Sequence, residues 1–172
     1  PLLEAAARGK VGAIKALVRR GARVNQASTE GVLPIHRAAS MGHFEALLAL
    51  LEAGADLWAP KLDSKGGENT ALSSALIACD VRERERIVRF LLSRDPPRRA
   101  LDGALGYIGI NLEGANSEVD ARRSVELGRL IVRRGADVNA DLGVEWRGEG
   151  WTRLHRAAAG NNVRFVKFLL EN

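Results

Sequence analysis

Short blocks of apolar residues at helical spacing recur along this chain. In the block 46–51, Ala46, Leu47, Leu50 and Leu51 fall at positions i, i+1, i+4 and i+5, which places them on one side of a helix. Comparable blocks lie at 87–92, 121–134 and 165–170. The pattern therefore predicts several short amphipathic helices, each with one buried side.

The residues around the block 46–51 predict a second helix before it. Pro34 suits a first helical turn, where its missing N–H removes no hydrogen bond. Gly42 suits the left-handed conformation that ends a helix, and Gly54 suits the same conformation after the block itself. Each stretch of this kind is therefore expected to form two antiparallel helices, with Asp56 opening the loop to the next pair.

The chain also contains internal repeats. The sequence GARVN at 21–25 returns as GADLW at 54–58 and as GADVN at 135–139. The first two copies are 33 residues apart, and the next interval of 81 residues is two such periods with 15 residues added. A second marker, GVLPIHRAA at 31–39, returns as GWTRLHRAA at 150–158. Repeats of about this period indicate stacked units that share one core.

These residues resemble the ankyrin repeat, whose consensus contains T-P-L-H-x-A-A, G-H-x-E and G-A-D-V-N at fixed offsets. The resemblance covers most of the chain and implies an all-α solenoid of stacked antiparallel helix pairs joined by hairpin-like loops. We expect a single array over 1–172 of about five units, the first and last truncated. Their approximate bounds are 2–29, 30–63, 64–97, 98–140 and 141–172.

Units three and four depart from the consensus. The loop 57–69 carries about four extra residues, and about four more are expected between the helices of unit three, at 81–85. Each glycine weakens a helix by about 1 kcal/mol, and the first helix of unit four contains Gly103, Gly106 and Gly109. We expect 62–69 and 111–120 to bulge as loops, since extra loop length costs little free energy.

The two ends of the sequence lie within the pattern. The chain opens on Pro1 without an initiator methionine and stops at Asn172 inside a helical block, so it is interpreted as a piece of a longer protein. We expect the last apolar block, including Phe165 and Leu169, to be exposed at its end. Further repeats or domains of the same parent chain would then cover it.

Composition adds a basic charge to this picture. Of 172 residues, 46% are hydrophobic and 5% aromatic, so the core is expected to be aliphatic, and the net charge is +5. Seven arginines lie between Arg82 and Arg99, against three acidic residues. Two interpretations stay open for this segment: a solvated helix face with Arg–Glu pairs three or four residues apart, or an anion-binding patch.

Catalytic and metal-binding chemistry is poorly represented. The single cysteine, Cys79, excludes an internal disulfide and a cysteine-rich zinc module. His36 and His155 occupy the consensus histidine, which the resemblance implies is structural and bonded to a threonine at the helix start. Thr152 keeps this bond, whereas Leu33 replaces the threonine in unit two. His43 is expected to be a surface or capping residue. We expect no enzyme activity, cofactor or metal.

The resemblance implies a protein–protein interaction scaffold that uses its concave helix face and loop tips. The candidate contacts are Trp58, Trp151, Arg8, Arg37, Met41 and Arg156. Arg37 and Arg156 fit equally as solvated neighbours of the packing surface, and Trp146 either contacts a partner or folds back over the core. The alternative function is polyanion or nucleic-acid binding through the arginine-rich surface. Stacking on bases requires aromatic residues among the arginines, and Phe90 alone provides one between Arg82 and Arg99.

The sequence also leads to an expectation about where in the cell the protein is found. No apolar run approaches the roughly 18–20 residues that span a bilayer, and the first residues do not resemble a signal peptide. We therefore expect no membrane association and an intracellular protein, cytoplasmic or nuclear.

Overall fold

The structure, a computed structural model, describes residues 1–61, 69–78, 80–113, 118–140, 152–159 and 161–172, with the side chains of 110–113 and 156 excepted. The described residues form ten α-helices. These are α1 (Leu2–Ala7), α2 (Val11–Arg19), α3 (Pro34–Ser40), α4 (Phe44–Glu52), α5 (Ala71–Ala75), α6 (Val81–Leu92), α7 (Arg98–Glu113), α8 (Glu118–Arg133), α9 (Arg153–Ala159) and α10 (Val163–Glu171). The chain divides into two compact units, Pro1–Pro96 and Pro97–Asn172.

The unit Pro1–Pro96 is built from three consecutive helix pairs. The first helices of the pairs, α1, α3 and α5, pack side by side, and the second helices, α2, α4 and α6, form the adjacent row. We call the first set the inner helices and the second set the outer helices. This stacking confirms the all-α architecture of stacked helix pairs that the sequence predicts.

The core of this unit lies between the two rows of helices. As the low aromatic content predicts, its fully buried large side chains are aliphatic: Ile14, Ile35, Leu47, Leu50, Leu72, Leu76, Ile87 and Leu91. Burying each such side chain contributes about 1.5–3 kcal/mol. A single helix pair cannot bury its own apolar faces. The stability of each pair therefore depends on the pairs that stack against it.

Two turns show how the repeat is maintained with different residues. Gly42, between α3 and α4, has φ +73°, and Asn161, in the same slot between α9 and α10, has φ +54°. Both values are in the left-handed region, which asparagine tolerates better than most non-glycine residues. Asparagine therefore takes the place of glycine at this slot.

Helix α6 corrects one expectation for unit three. Residues 81–85 are not extra loop between two helices but the first turn of α6. The side chain of Asp80 accepts hydrogen bonds from the backbone N–H groups of Arg82 at 2.8 Å and Glu83 at 3.0 Å. This N-cap satisfies amide groups that a helix start otherwise leaves unpaired, and it lets the helix begin earlier than the repeat pattern predicts.

The unit Pro97–Asn172 packs its helices around two glycines. Helix α7 contacts α8, α9 contacts α10, and α10 also contacts α7. A Cβ atom on Gly109 would lie 2.6 Å from Cδ1 and Cε1 of Phe165, and one on Gly128 would lie 2.7 Å from Cζ of Phe168. The two phenylalanine rings therefore occupy space that exists because these helical positions lack side chains.

This packing also corrects the expectation for the chain's last apolar block. Phe165, Phe168 and Leu169 are buried, although Leu170 stays 70% exposed. The expected exposure of Phe165 and Leu169 is wrong because their side chains find their contacts on α7 and α8 within this unit.

The predicted insertions have different outcomes. Helix α7 continues to Glu113 and α8 begins at Glu118, so most of 111–120 is helical rather than a bulging loop. Acidic residues in the first turn of α8 favour this start, because they face the positive end of the helix dipole. Residues 62–68 lie outside the described residues; at the edges of that segment, the backbone N–H of Lys61 donates to the Asn69 carbonyl at 2.6 Å.

Candidate functional site

The inner helices of the unit Pro1–Pro96 and the residues just after them carry three of the predicted contacts and one further exposed apolar residue. Met41 ends α3 and Ile77 follows α5, and each side chain is 49% exposed. Arg37 is half-buried on α3, while Arg8 is exposed and paired with Glu4 one turn earlier on α1. We call the surface formed by Arg8, Arg37, Met41 and Ile77 the inner-helix face.

Trp58 lies in the loop after α4 and is half-buried rather than fully exposed. Its backbone N–H donates to Oδ1 of Asp56 at 3.0 Å, and Asn139 makes the same bond to Asp137 at 2.9 Å. The aspartate of the repeat therefore orders the loop locally, as side chains of this type do in tight turns. Three other predicted positions, the tryptophans at 146 and 151 and the side chain of Arg156, lie outside the described residues, as does Cys79.

Neighbouring loops are joined by Asn25. Its amide nitrogen donates to the Gly54 carbonyl at 3.1 Å, and its Oδ1 accepts from the Asp56 backbone N–H at 2.9 Å. Trp58 occupies the corresponding position one repeat later, where it cannot make this pair of bonds. The tryptophan thus replaces a structural polar residue with a large apolar surface.

The two consensus histidines form hydrogen bonds within the chain, as structural residues do. His36 is buried; its Nδ1 accepts from the Leu33 backbone N–H at 3.3 Å, and its Nε2 bonds the Ala59 carbonyl at 2.9 Å. Leu33 therefore supplies from its backbone part of what the missing threonine would provide. His155 Nδ1 lies 2.9 Å from the Thr152 hydroxyl, so the bond predicted there is confirmed.

The burial of His36 predicts a pH dependence of stability. Burial is the main cause that lowers the pKa of His36 below its ordinary value of 6.5. The unfolded chain then binds the proton more readily than the folded chain, so this residue removes stability as the pH falls below about 6.5 and has no such effect above it. We expect urea unfolding midpoints to drop between about pH 7 and pH 5.5, and to drop less in the variant His36→Asn. His155→Asn, at an exposed position, is the control; equal slopes in the wild type and His36→Asn would contradict the expectation.

His43 occupies the N-cap position of α4, so the capping alternative expected for it is confirmed in position. It is half-buried, and its Nε2 lies 3.0 Å from the Ala7 carbonyl at the end of α1. Asn162 does the same in the other unit, where its amide nitrogen donates to the Gly109 carbonyl at 2.8 Å. The residue after the left-handed turn is therefore not a simple surface residue, because it bonds a carbonyl of an earlier helix: α1 for His43 and α7 for Asn162.

Comparison with known families agrees with this repeated geometry. The profile described as ankyrin repeats in three copies matches residues 2–100, which is more than half of the chain. The chain belongs to the ankyrin-repeat family. A single ankyrin-repeat profile also matches residues 149–172, and no curated protein matches the chain.

Ankyrin repeats are in general protein–protein interaction modules, and the family is typically non-catalytic. The described parts of the chain contain no group of three or more His, Cys, Asp or Glu residues placed to hold a metal ion. Nor does any helix in those parts combine the length and apolar character needed to span a membrane. The division into about five units stays a prediction.

The arginines of α6 in this ankyrin array are mostly engaged within the chain. Two ion pairs follow the helix surface: Glu83–Arg86 at 3.7 Å and Glu85–Arg89 at 2.8 Å. Arg84 donates twice to the Ala78 carbonyl, at 3.0 and 2.6 Å. Two of the expected i,i+3 and i,i+4 pairs are therefore present on α6. The choice between a solvated face and an anion-binding patch for the whole segment 82–99 stays a prediction.

One position of the ankyrin consensus holds a buried arginine in this chain, which was not predicted from the sequence. Arg153, in the slot of the consensus proline, is 5% exposed and donates to the Asp137 carbonyl at 3.0 Å and the Ala140 carbonyl at 3.4 Å. It also bonds the carbonyl of Asp102. Burial lowers the pKa of the Arg153 guanidinium, while the nearby carboxylates of Asp102 and Asp137 act in the opposite direction. An arginine where the family has proline was the signal available in the sequence.

Proposed function

We propose that this chain is a non-catalytic scaffold that binds a protein partner through the inner-helix face and the adjacent loop tips. The observation that carries the proposal is the exposure of Met41 and Ile77, each 49%, at the same end of two helices that pack together. Large apolar side chains exposed in one region are typical of interaction sites. Methionine also adapts its shape to different partners.

The surrounding residues supply polarity and a second anchor. Arg37 lies one turn before Met41 on α3, and Arg8 follows α1, which packs against α3. Arginine binds carboxylates through two parallel hydrogen bonds. Trp58 keeps part of its surface accessible on the loop after α4. Trp151 and Arg156 belong to the same proposal through their positions in the repeat.

The engaged arginines of α6 favour this function over binding of a polyanion. Arginines already paired with glutamates or bonded to a backbone carbonyl release fewer counterions on binding a phosphate backbone. A protein partner needs no such free cations, because apolar contacts at a few central residues dominate most protein interfaces.

This proposal predicts which substitutions weaken binding. We expect peptides selected on the immobilised 172-residue chain from a displayed random peptide library to bind Met41→Glu and Ile77→Glu at least about tenfold more weakly, because a buried unpaired carboxylate opposes binding. Trp58→Ala is expected to cost about 2 kcal/mol of binding if this side chain is an anchor. Affinities are measured by fluorescence anisotropy, and unfolding midpoints confirm that each variant is folded.

The matched control is Val119→Glu, which places the same charge at another exposed apolar position, on α8. Equal losses for Val119→Glu and Met41→Glu would contradict the proposed face. A steep log-linear weakening of binding with salt, unaffected by Met41→Glu, would instead support the polyanion alternative. A large loss of stability in Trp58→Ala with unchanged affinity would assign Trp58 to the core.

A further inference from the structure

The outer helices α4 and α6 meet through two aromatic rings. The ring centroids of Phe44 and Phe90 are 5.2 Å apart and perpendicular. A guanidinium group also lies over each ring. Cζ of Arg86 is 3.9 Å from the centre of Phe44, and Cζ of Arg94 is 4.7 Å from the centre of Phe90. Edge-to-face rings and stacked guanidinium groups are both favourable. The four side chains form a continuous row along the contact between the two helices.

Beside Phe90 the contact opens into a groove of about 310 Å³. We call it the α4–α6 groove; its lining residues are Leu48, Leu51, Glu52, Leu57, Phe90 and Arg94. The four apolar members are each half-buried, so they keep surface that a ligand can cover. The volume is at the low end of the range of about 300–1,000 Å³ for ligand pockets, and it matches side chains of a peptide better than a large cofactor.

The two charged residues at the rim differ in what they already bind. The Glu52 carboxylate lies 3.6 Å from the Lys15 ammonium group, so its charge is balanced within the chain. Arg94 stacks on Phe90 and has no ion-pair partner among the described residues. Arg86, at the other end of the row, is paired with Glu45 at 2.8 Å.

This difference gives the groove a charge preference. The Arg94 guanidinium lies over the face of the Phe90 ring, and its N–H groups can donate to a carboxylate. Leu48, Leu51 and Leu57 provide an apolar surface in the same groove. A bare phosphate would use Arg94 and leave the leucines uncovered, whereas a peptide with both apolar and acidic side chains would use all of them.

We propose that the α4–α6 groove binds a segment of a partner protein in which aliphatic residues adjoin glutamate or aspartate. The aliphatic side chain packs against Leu48, Leu51 and Phe90, and the neighbouring carboxylate accepts hydrogen bonds from Arg94. The groove lies on the outer helices, whereas Met41 and Ile77 of the inner-helix face lie at the ends of inner helices. It is therefore a second docking surface, and it rests on the proposed function only in taking a protein as its occupant.

The test uses the whole 172-residue chain with isotope-labelled leucine, isoleucine and methionine methyl groups and three blocked hexapeptides. One peptide alternates leucine with glutamate, one alternates leucine with lysine, and one alternates alanine with glutamate. We expect the leucine–glutamate peptide to shift the methyl signals of Leu48, Leu51 and Leu57, with an affinity at least fivefold above the other two. Comparison with the alanine–glutamate peptide tests the apolar contact, and comparison with the leucine–lysine peptide tests the preference for negative charge.

Two variants connect the binding to Arg94. Arg94→Gln removes an exposed charge that lies outside the helices, so the fold is retained, and it should lower the affinity for the leucine–glutamate peptide about tenfold, a free-energy difference of about 1.4 kcal/mol. Arg89→Gln is the control, because Arg89 is also an exposed arginine near the end of α6 but is already paired with Glu85 at 2.8 Å. Its affinity should equal that of the wild type.

Several results would overturn this inference. One is the absence of methyl shifts at millimolar peptide, and another is an affinity that Arg94→Gln leaves unchanged. Shifts confined to Met41 and Ile77 would also overturn it, while leaving the proposed function intact. Binding of anionic phospholipid vesicles or of a heparin oligosaccharide through Arg94, without leucine shifts by the peptide, would assign the arginine to a different ligand and overturn the groove as a peptide site.

Discussion

Replacing Gly109 with alanine is expected to destabilise the unit Pro97–Asn172 strongly. The new methyl group would lie 2.6 Å from two ring carbons of Phe165, which is itself buried. Overpacking of this kind costs about 1–3 kcal/mol and exceeds what alanine gains in helix propensity. We expect the free energy of unfolding to fall by about 2 kcal/mol or more, with a melting temperature lower by about 4–8 °C.

The same helix provides the matched control. A Cβ on Gly106 would meet no atom within 4 Å, so Gly106→Ala is expected to stabilise the chain by about 0.4–1 kcal/mol through helix propensity and a less flexible unfolded state. Combining Gly109→Ala with Phe165→Leu should recover part of the lost stability, because the two sites are in contact. If both alanine variants had the same melting temperature, the close packing of Phe165 on Gly109 would be contradicted.

Removing the buried guanidinium of Arg153 is expected to have an effect of similar size. Arg153→Met keeps much of the side chain's volume but leaves the carbonyl groups of Asp102, Asp137 and Ala140 without their donor. Hydrogen bonds from charged groups contribute about 1.5–3 kcal/mol each, and a buried group left unpaired carries a further penalty. We expect Arg153→Met to lower the free energy of unfolding by about 3 kcal/mol, measured by urea denaturation.

The control substitution is Arg164→Met. Arg164 is about half exposed and lies 3.8 Å from Glu118, and exposed ion pairs of this kind contribute about 0–1 kcal/mol. Arg153→Lys should fall between the two, because lysine retains the charge but not the planar fork of donors. An effect of Arg153→Met no larger than that of Arg164→Met would show that the buried carbonyl groups find other donors.

The fold was largely predictable because the repeat places its markers at fixed offsets. Pro34 at the start of α3, the left-handed Asn161, and the bond between Thr152 and His155 all follow from positions in the repeat. Each of these features is local, so a single short segment of sequence specifies it. Helix α6 departs from the pattern because of another local feature, the capping side chain of Asp80.

Contacts between distant segments were not predictable in the same way. From the sequence alone, Gly109 is expected to weaken a helix. Its role in packing is apparent only in the structure, where the Phe165 ring lies against it. Likewise, the sequence alone suggests that Arg153 is an exposed charge, whereas in the structure it bonds the carbonyl of Asp102. Both contacts join residues about 50 positions apart, and no helical period encodes such a pairing.

The candidate site was predictable in part, at the level of position but not of exposure. The repeat assigns Met41 to the variable end of an inner helix, and that side chain is exposed. Trp58 was placed correctly in a loop, but its half-buried state depends on how the loop folds against its surroundings. The exposure of Ile77 follows from the short helix α5, which ends before it.

The bond from His43 to the Ala7 carbonyl bears on whether the repeats of this chain are interchangeable modules. The imidazole ring lies so close to Gly9 that a Cβ there would be 2.9 Å from the ring. A repeat that carries this histidine therefore requires a predecessor with glycine at that position and a free carbonyl two residues earlier. Permuting or deleting repeats would break such matched pairs even when every repeat by itself fits the consensus. The order of the repeats is consequently part of what the sequence encodes, and recombination at the junction that His43 spans would be constrained.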